Sequence, residues 1–170
     1  YHKFWKNTIL FLQFKEEIMN ELLKEAKSIE AELIQMRREL HQIPEIGIEL
    51  PKTAAYVKAK LIEYGYEPTE IYTNAIVATV GDTSKKAILL RADMDALPMK
   101  EESGLEFAAT GDACHSCGHD LHMATLLGAA KLLKQHESEL NGCVKFMFQP
   151  DEEGYSGDDV GGAEHMLLNG

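Results

Sequence analysis

Segments with the periodicity of amphipathic helices alternate along this chain with short runs that are typical of β-strands. Because apolar residues recur at helical spacing, helices are predicted at Leu22–Leu40, Thr53–Tyr64, Leu121–Leu133 and Gly161–Leu168. Strands are predicted at Ala75–Val80, Ala87–Arg91 and Cys143–Phe148. Strands that alternate with helices favour an α/β fold, with a mostly parallel sheet flanked by helices.

Two of these segments carry finer predictions. The helix that begins after Met19 should run as one stripe to about His41, because Pro44 cannot continue it and Gly47 follows. His41 itself is interpreted as a surface or capping histidine. The run Ala87–Leu90 is continuously apolar, which predicts a strand buried on both faces.

Length and charge narrow the function classes. The chain has 170 residues, which is typical of one domain. It carries 28 Asp and Glu against 17 Lys and Arg, a net charge of −11. This excess argues against a nucleic-acid partner, since binding phosphate needs clustered cations, and against an anionic membrane surface. No apolar run reaches the ~18 residues that cross a bilayer.

The cysteines indicate a reducing compartment. There are three, Cys114, Cys117 and Cys143, an odd number in a chain large enough to fold without disulfides. We therefore expect a cytoplasmic protein.

The first 18 residues differ from the rest of the chain. Tyr1–Phe14 is rich in aromatic residues and lacks clean periodicity, whereas a strong helical pattern starts at Met19. Two interpretations remain open: translation naturally begins at Met19 and residues 1–18 are not native, or they form an ordinary helical extension. The chain is divided accordingly into an extension, 1–18, and a domain, 19–170.

Thiols and imidazoles cluster just before the third predicted helix, at Cys114, His115, Cys117, His119 and His122. These side chains suit Zn²⁺ and its neighbours. Gly118 lets Cys117 and His119 face one ion, and the helix N-terminus is expected to stabilise the Cys117 thiolate. A redox pair of Cys114 and Cys117 and a merely structural cluster are the alternatives, although the redox pair would leave the histidines without a role.

Acidic residues follow two of the predicted strands. Asp93 and Asp95 come after the second strand, and Glu152 and Glu153 come after the third. Reactive groups gather at such strand ends in α/β sheets. The two adjacent glutamates need a positive neighbour, so one is predicted to bind a divalent metal while the other takes a proton from metal-bound water. Capped or solvated acidic turns are the alternatives.

Several motifs in this order resemble one known family. They are Arg37–Glu45, Leu90–Pro98, Cys117–His122, Leu126–Lys131 and Phe148–Glu153. From about Met36 onward the sequence resembles the M20 metallopeptidases, in particular the amidohydrolase branch that hydrolyses N-acyl amino acids, hippurate and auxin conjugates.

The resemblance implies roles for individual residues. Cys117, His119 and Glu153 match metal ligands, Glu152 matches the general base, and Asp95 matches an aspartate that supports the metal site. The implied cofactor is a pair of divalent ions, Zn, Mn, Co or Ni, and the implied substrate is an N-acyl amino acid or a related small amide.

Three neighbouring positions are less settled by the resemblance. Asp93 stands where other branches have a metal-binding histidine, so its role stays open. His115 matches the histidine that this branch usually carries before the metal-binding cysteine. Cys114 replaces a common methionine.

The resemblance also implies parts that this sequence lacks. The family has two further histidine ligands and an inserted smaller domain that forms homodimers. We therefore expect an incomplete zinc-exopeptidase-like catalytic domain, the front part of a longer enzyme, inactive by itself. A non-catalytic metal- or partner-binding protein built from this half-fold and a thiol redox module remain the alternatives.

Overall fold

The helices of the predicted α/β fold are present. The computed structural model describes residues 19–157 and 159–169, so the two interpretations of residues 1–18 lie outside the described residues. After a helical stretch over residues 19–28, the helices are α1 (Glu30–His41), α2 (Pro51–Glu63), α3 (His119–Gln135) and α4 (Gly162–Asn169), with a 3₁₀ turn at Glu137–Glu139. Among the described residues, no helix is long and apolar enough to cross a bilayer.

The first helical stripe is interrupted, contrary to the prediction of one continuous helix. Residues 19–28 are helical, residue 29 is a turn, and α1 then starts at Glu30. The Ser28 hydroxyl donates a hydrogen bond of 2.6 Å to the main-chain oxygen of Glu25. A serine that bonds back to the backbone in this way competes with helix propagation.

The sheet is mixed, in the order β1-β2-β4-β3. Its strands are β1 (Thr69–Tyr72), β2 (Ala75–Gly81), β3 (Ala87–Asp93) and β4 (Cys143–Gln149). The α/β class is confirmed, but only β3 and β4 are parallel, whereas β1–β2 and β2–β4 are antiparallel. Strand β1, which was not predicted, turns into β2 as a hairpin with Asn74 at φ 56°, and this turn accounts for the antiparallel β1–β2 pair.

The prediction that Ala87–Leu90 is buried on both faces is wrong. Within residues 19–157 and 159–169, strand β3 lies at the sheet edge and pairs only with β4. Ile88 is 63% exposed and Leu89 57% exposed. A continuous apolar run does not distinguish a central strand from an edge strand, because either kind of strand can consist of consecutive apolar residues.

The core lies between the sheet and helices α1 to α3. Its largest fully buried side chains include Leu40, Leu61, Leu127, Phe146 and Phe148. Each is worth ~1.5–3 kcal/mol relative to exposure. This packing holds the start of α3 beside the carboxyl ends of β3 and β4.

Candidate metal centre

The parallel register of β3 and β4 brings the predicted acidic segments together. Asp93 pairs with Gln149 at the end of the ladder, and the Met94 N–H donates to the Gln149 oxygen at 2.8 Å. Because both strands run in the same direction, the residues after each strand emerge at one edge of the sheet. Asp95 and the two glutamates therefore meet, although they are far apart in sequence.

The Asp95 carboxylate holds both glutamates by their main chain. Its two oxygens accept the N–H groups of Glu152 and Glu153, each at 3.0 Å. Asp95 is 1% exposed. Burial raises its pKa, but hydrogen bonds from His119, Glu153 and Glu152 outweigh burial, so the pKa of Asp95 lies below its usual value. Asp95 is thus a buried anion that positions the glutamates.

His119 begins α3 with its ring fixed against the same residue. Its Nδ1 lies 2.7 Å from the main-chain oxygen of Asp95. A carbonyl only accepts, so Nδ1 carries the proton and Nε2 keeps its lone pair. Nε2 lies 3.8 Å from Glu152 Oε2 and 3.9 Å from Glu153 Oε1. Burial lowers the pKa of His119, but Asp95 more than compensates and raises it.

The three predicted metal ligands converge. One donor atom from each of Cys117, His119 and Glu153 lies within 4.8 Å of the other two. Gly118 between the first two has φ +88°, the left-handed conformation that turns the chain toward the site. Glu153 Oε1 is buried without a hydrogen-bond partner among the described residues. Thiol, imidazole and an unpaired carboxylate oxygen fit a divalent ion of the zinc type.

The predicted stabilisation of the Cys117 thiolate is not found. The pKa of Cys117 is raised to about 11, first by the Glu153 carboxylate beside it and then by burial, with Glu152 and Asp93 adding to the shift. These anions outweigh the helix N-terminus that was expected to lower the pKa. The same negative surroundings favour a cation beside the thiol. Binding of a metal ion would release the thiol proton.

A second donor group shares His119. Asp93, His119 and His122 also place one donor atom each within 4.8 Å. Asp93 Oδ2 lies 3.4 Å from His122 Nδ1, and the Arg91 guanidinium lies 2.8 Å from Asp93 Oδ1. Asp93, whose role the sequence left open, therefore lies beside His122 and His119. Nε2 is the one ring nitrogen of His119 that is free to bind a metal. The two donor groups would therefore share this atom.

Asp151 fixes the turn that carries Glu152 and Glu153. This buried residue has φ 53°, and its carboxylate accepts the N–H of Ser156 at 3.0 Å and also its hydroxyl. The Asp151 N–H donates to the Gly47 oxygen at 3.0 Å. Gly47 has φ +72°, and a Cβ there would lie 3.2 Å from the Ser156 nitrogen. Both the positive φ and the close approach therefore favour glycine at this contact.

Sequence reasoning missed a buried ionic cluster behind the site. His41 is 5% exposed and joins Asp120 and Glu101, so its interpretation as a surface or capping histidine is wrong. Arg37 completes the cluster at 2.7 Å from Asp120. The signal in the sequence was that His41 lies within the motif Arg37–Glu45 and Asp120 within the motif Cys117–His122.

Cys114 and His115, which precede Cys117 in the sequence, are also buried. Both ring nitrogens of His115 lack hydrogen-bond partners among the described residues, and burial lowers its pKa to about 4. Cys114 is buried, with its sulfur 2.8 Å from the Ser116 hydroxyl. Cys114, Cys117 and Cys143 are all free thiols, as expected for a chain without a disulfide framework.

Comparison with known proteins agrees with this geometry. Residues 89–169 match Peptidase family M20/M25/M40. The N-acetyl-L-cysteine deacetylase of Bacillus subtilis (strain 168) is 41% identical over 154 residues, which cover 89% of this chain and 36% of that protein. The IAA-amino acid hydrolase ILR1-like 5 of Arabidopsis thaliana is 41% identical over 127 residues, covering 74% and 29% respectively.

A solved structure supports the same grouping. The Bacillus subtilis YXEP protein, described as a dinuclear metal binding peptidase from the M20 family, superposes with a TM-score of 0.76 at 37% identity. The match covers 84% of this chain and 40% of that one.

The fold and the donor set are those of the α/β metallohydrolases. Within that class, the chain belongs to peptidase family M20. It spans 29–41% of the length of the first curated relatives that it matches.

Proposed function

We propose that this chain forms part of a metal-dependent amidohydrolase that cleaves the amide bond of N-acyl amino acids or related small amides. The observation that carries the proposal is the convergence of Cys117, His119 and Glu153, with the Glu152 carboxylate 3.8 Å from His119 Nε2. Relatives named as N-acyl-L-amino acid amidohydrolase and N-acetylcysteine deacetylase support this substrate class.

Cys117, His119 and Glu153 would hold a divalent ion, and a pair of Zn, Mn, Co or Ni ions is the proposed cofactor. When bound, such ions polarise the amide carbonyl and make water a stronger acid and nucleophile. The YXEP protein, described as dinuclear, supports a pair. Asp95 holds the imidazole of His119 with Nε2 toward the ion and fixes the main chain of both glutamates.

Glu152 is proposed as the general base. Its main-chain N–H is fixed by Asp95, whereas its side chain is 38% exposed and reaches toward His119 Nε2. A carboxylate in that place can accept a proton from the attacking water at Oε2 and return it to the leaving amine. Glu153, which has the more buried carboxylate, would remain a ligand.

Domain organisation and location are proposals as well. We assign residues 19–170 to the front part of the catalytic domain, with an inserted homodimerisation domain and further ligands supplied by the intact protein. The low coverage of the longer relatives supports this assignment. A cytoplasmic location is proposed from the free thiols, and neither nucleic acid nor membrane is proposed as a partner.

The test is Glu152→Gln in the full-length protein. We expect the variant to retain its metal content and to lose turnover of N-acetyl amino acids by a factor of about 10²–10⁴, the usual contribution of a general base. Glu164→Gln, on α4, is the matched control and should behave as the unaltered protein. Normal turnover by Glu152→Gln would contradict the base assignment. Metal binding without any hydrolysis by the unaltered protein would favour the non-catalytic binding protein.

A further inference from the structure

Four ionisable side chains form a largely buried cluster behind the proposed metal centre. His41 Nδ1 lies 2.7 Å from Asp120 Oδ2, and His41 Nε2 lies 3.1 Å from both Glu101 oxygens. The Arg37 Nε also lies 2.7 Å from Asp120 Oδ2. The Asp120 side chain has no exposed surface, and those of His41 and Glu101 are 6% and 8% exposed. None of these residues has a role in the proposed chemistry.

His41 is the centre of this cluster because it contacts a carboxylate on each side. Each ring nitrogen of His41 therefore has a carboxylate at hydrogen-bond distance. Phe107 covers the cluster, with its ring edge-on to His41 and the Arg37 guanidinium over its face. The carboxylates on both sides and the ring of Phe107 restrict the imidazole of His41 to a single orientation.

On one side, His41 holds the start of helix α3. The N-cap of that helix is Gly118, and no side chain caps it. Asp120 instead fixes the first turn: its Oδ1 accepts the Leu121 N–H at 2.9 Å, while Oδ2 faces His41 and Arg37 from α1. Because Asp120 directly follows His119, this contact also fixes the main chain that carries the histidine ligand.

On the other side, His41 holds the loop that leads to the cysteine ligand. The Glu101 carboxylate accepts the Ala109 N–H at 2.6 Å and the Ser103 hydroxyl. These bonds order the chain shortly before Cys114, whose main chain bridges to Leu97. Glu101 and Asp120 are therefore the two ends of the segment that carries Cys117 and His119.

We propose that His41 is a positioning residue for the metal centre. It clamps Glu101 and Asp120 onto helix α1, so that the segment between them presents Cys117 and His119 to Glu153. The inference rests on the proposed metal centre and adds a residue to it that does not touch the ion. The contact of His41 with Asp120 matters more for the metal centre than the contact with Glu101, because Asp120 directly follows His119.

The experiment titrates the metal-stripped protein with Co²⁺ and follows the thiolate-to-cobalt charge-transfer absorbance, which reports ligation by Cys117 without requiring activity. His41→Gln places an amide near the position of Nε2 and keeps the Glu101 contact. His41→Asn places an amide near the position of Nδ1 and keeps the Asp120 contact. Glu32→Gln is the control, because Glu32 pairs with Lys131 and so joins the same two helices away from His119.

We expect His41→Gln to raise the Kd for Co²⁺ by about tenfold or more, the usual effect of losing a group that supports a ligand. His41→Asn should raise it less. Glu32→Gln should lower the melting temperature without changing the Kd. Asp120→Asn, which keeps the shape of the side chain, should reproduce the loss seen with His41→Gln.

Other outcomes overturn the inference. An unchanged Kd in His41→Gln would show that the clamp does not act on the ligands, and a loss in all variants in proportion to their melting temperatures would leave only a structural role. A greater loss in His41→Asn than in His41→Gln would contradict the role of Asp120. If the unaltered protein binds no Co²⁺, the metal centre itself fails, whereas Co²⁺ binding without hydrolysis of N-acyl amino acids removes the proposed function alone.

Discussion

The Nδ1 atom of His119 lies 2.7 Å from the main-chain oxygen of Asp95. A backbone acceptor sets the tautomer of this histidine, and no side-chain substitution removes the acceptor atom. The orientation of the imidazole therefore depends on the path of the chain just after β3. The carboxylate of the same residue, Asp95, fixes the glutamate turn, so one position supports both halves of the site.

Asp95→Asn is predicted to damage both stability and metal binding. The asparagine amide offers one acceptor oxygen, so one of the N–H groups of Glu152 and Glu153 faces an NH₂ donor and stays unpaired. An unpaired buried donor costs about 1–3 kcal/mol, and loss of the support should weaken metal affinity about 10–100-fold. Urea unfolding and metal titration measure the two effects. The exposed Asp112→Asn is the control, and equal behaviour of the two variants would contradict the assignment.

Gly47→Ala is predicted to loosen the glutamate turn. The new Cβ would lie 3.2 Å from the Ser156 nitrogen, in a backbone conformation with φ +72°. Gly104→Ala is a matched control, because its φ is +70° and no atom lies within 4 Å of the added Cβ. Both variants carry the left-handed strain of about 1 kcal/mol, but only Gly47→Ala adds the clash. A larger loss of unfolding free energy at Gly47 is expected, and equal losses would refute the contact.

Acid should weaken the fold through Glu101. Its pKa is lowered from 4.5 to about 2, first by the Ser103 hydroxyl, and then by the Ala109 N–H and His41 against the opposing effect of burial. The folded state thus binds this proton less tightly than the unfolded state. The contribution of Glu101 to stability is complete above pH 4.5 and is lost as the pH falls toward 2.

Unfolding free energies measured across that range test this prediction. Glu101→Gln should flatten the decline of stability between pH 4.5 and 2, because the titrating group is gone. The adjacent exposed Glu102→Gln should leave the decline unchanged. Identical curves for the two variants would show that Glu101 does not carry this part of the pH dependence.

Ile88→Lys is predicted to reduce self-association. Ile88 lies on the edge strand β3 and is 63% exposed, and an apolar edge strand offers unpaired backbone groups to another chain. A charge there opposes such pairing. Static light scattering at rising concentration measures the effect. Leu167→Lys, at an 82% exposed position on α4, removes a similar apolar surface away from the edge; equal improvement by both would contradict pairing through β3.

Local patterns made the candidate metal ligands visible from the sequence, because Cys117, Gly118 and His119 are neighbours and Glu152 and Glu153 are adjacent. The helices α2 to α4 and the strands β2 to β4 were predicted for the same reason, since each has a clear period or composition. Strand β1 was missed because Glu70 and Thr69 interrupt an already short apolar pattern.

Long-range contacts account for the features that the sequence did not reveal. His41 is buried because α1 packs on α3, which brings Asp120 to it, and because Glu101 and Phe107 lie against its other side. That Asp95 accepts the N–H groups of two glutamates depends on the register between β3 and β4. The edge position of β3 depends on strand order, which composition does not encode. To predict any of these features, one must know which helices and strands pack together.

The hydrogen bonds from Glu152 and Glu153 to Asp95 join residues 57 and 58 positions apart, across the parallel pair β3–β4. Contacts of such separation must compensate the entropy of closing a long loop. We therefore expect the site to form late in folding. During synthesis, a chain that has not yet emerged beyond Gln149 contains Cys117 and His119 but lacks Glu152 and Glu153, so we expect the proposed centre to assemble only once β4 has joined β3.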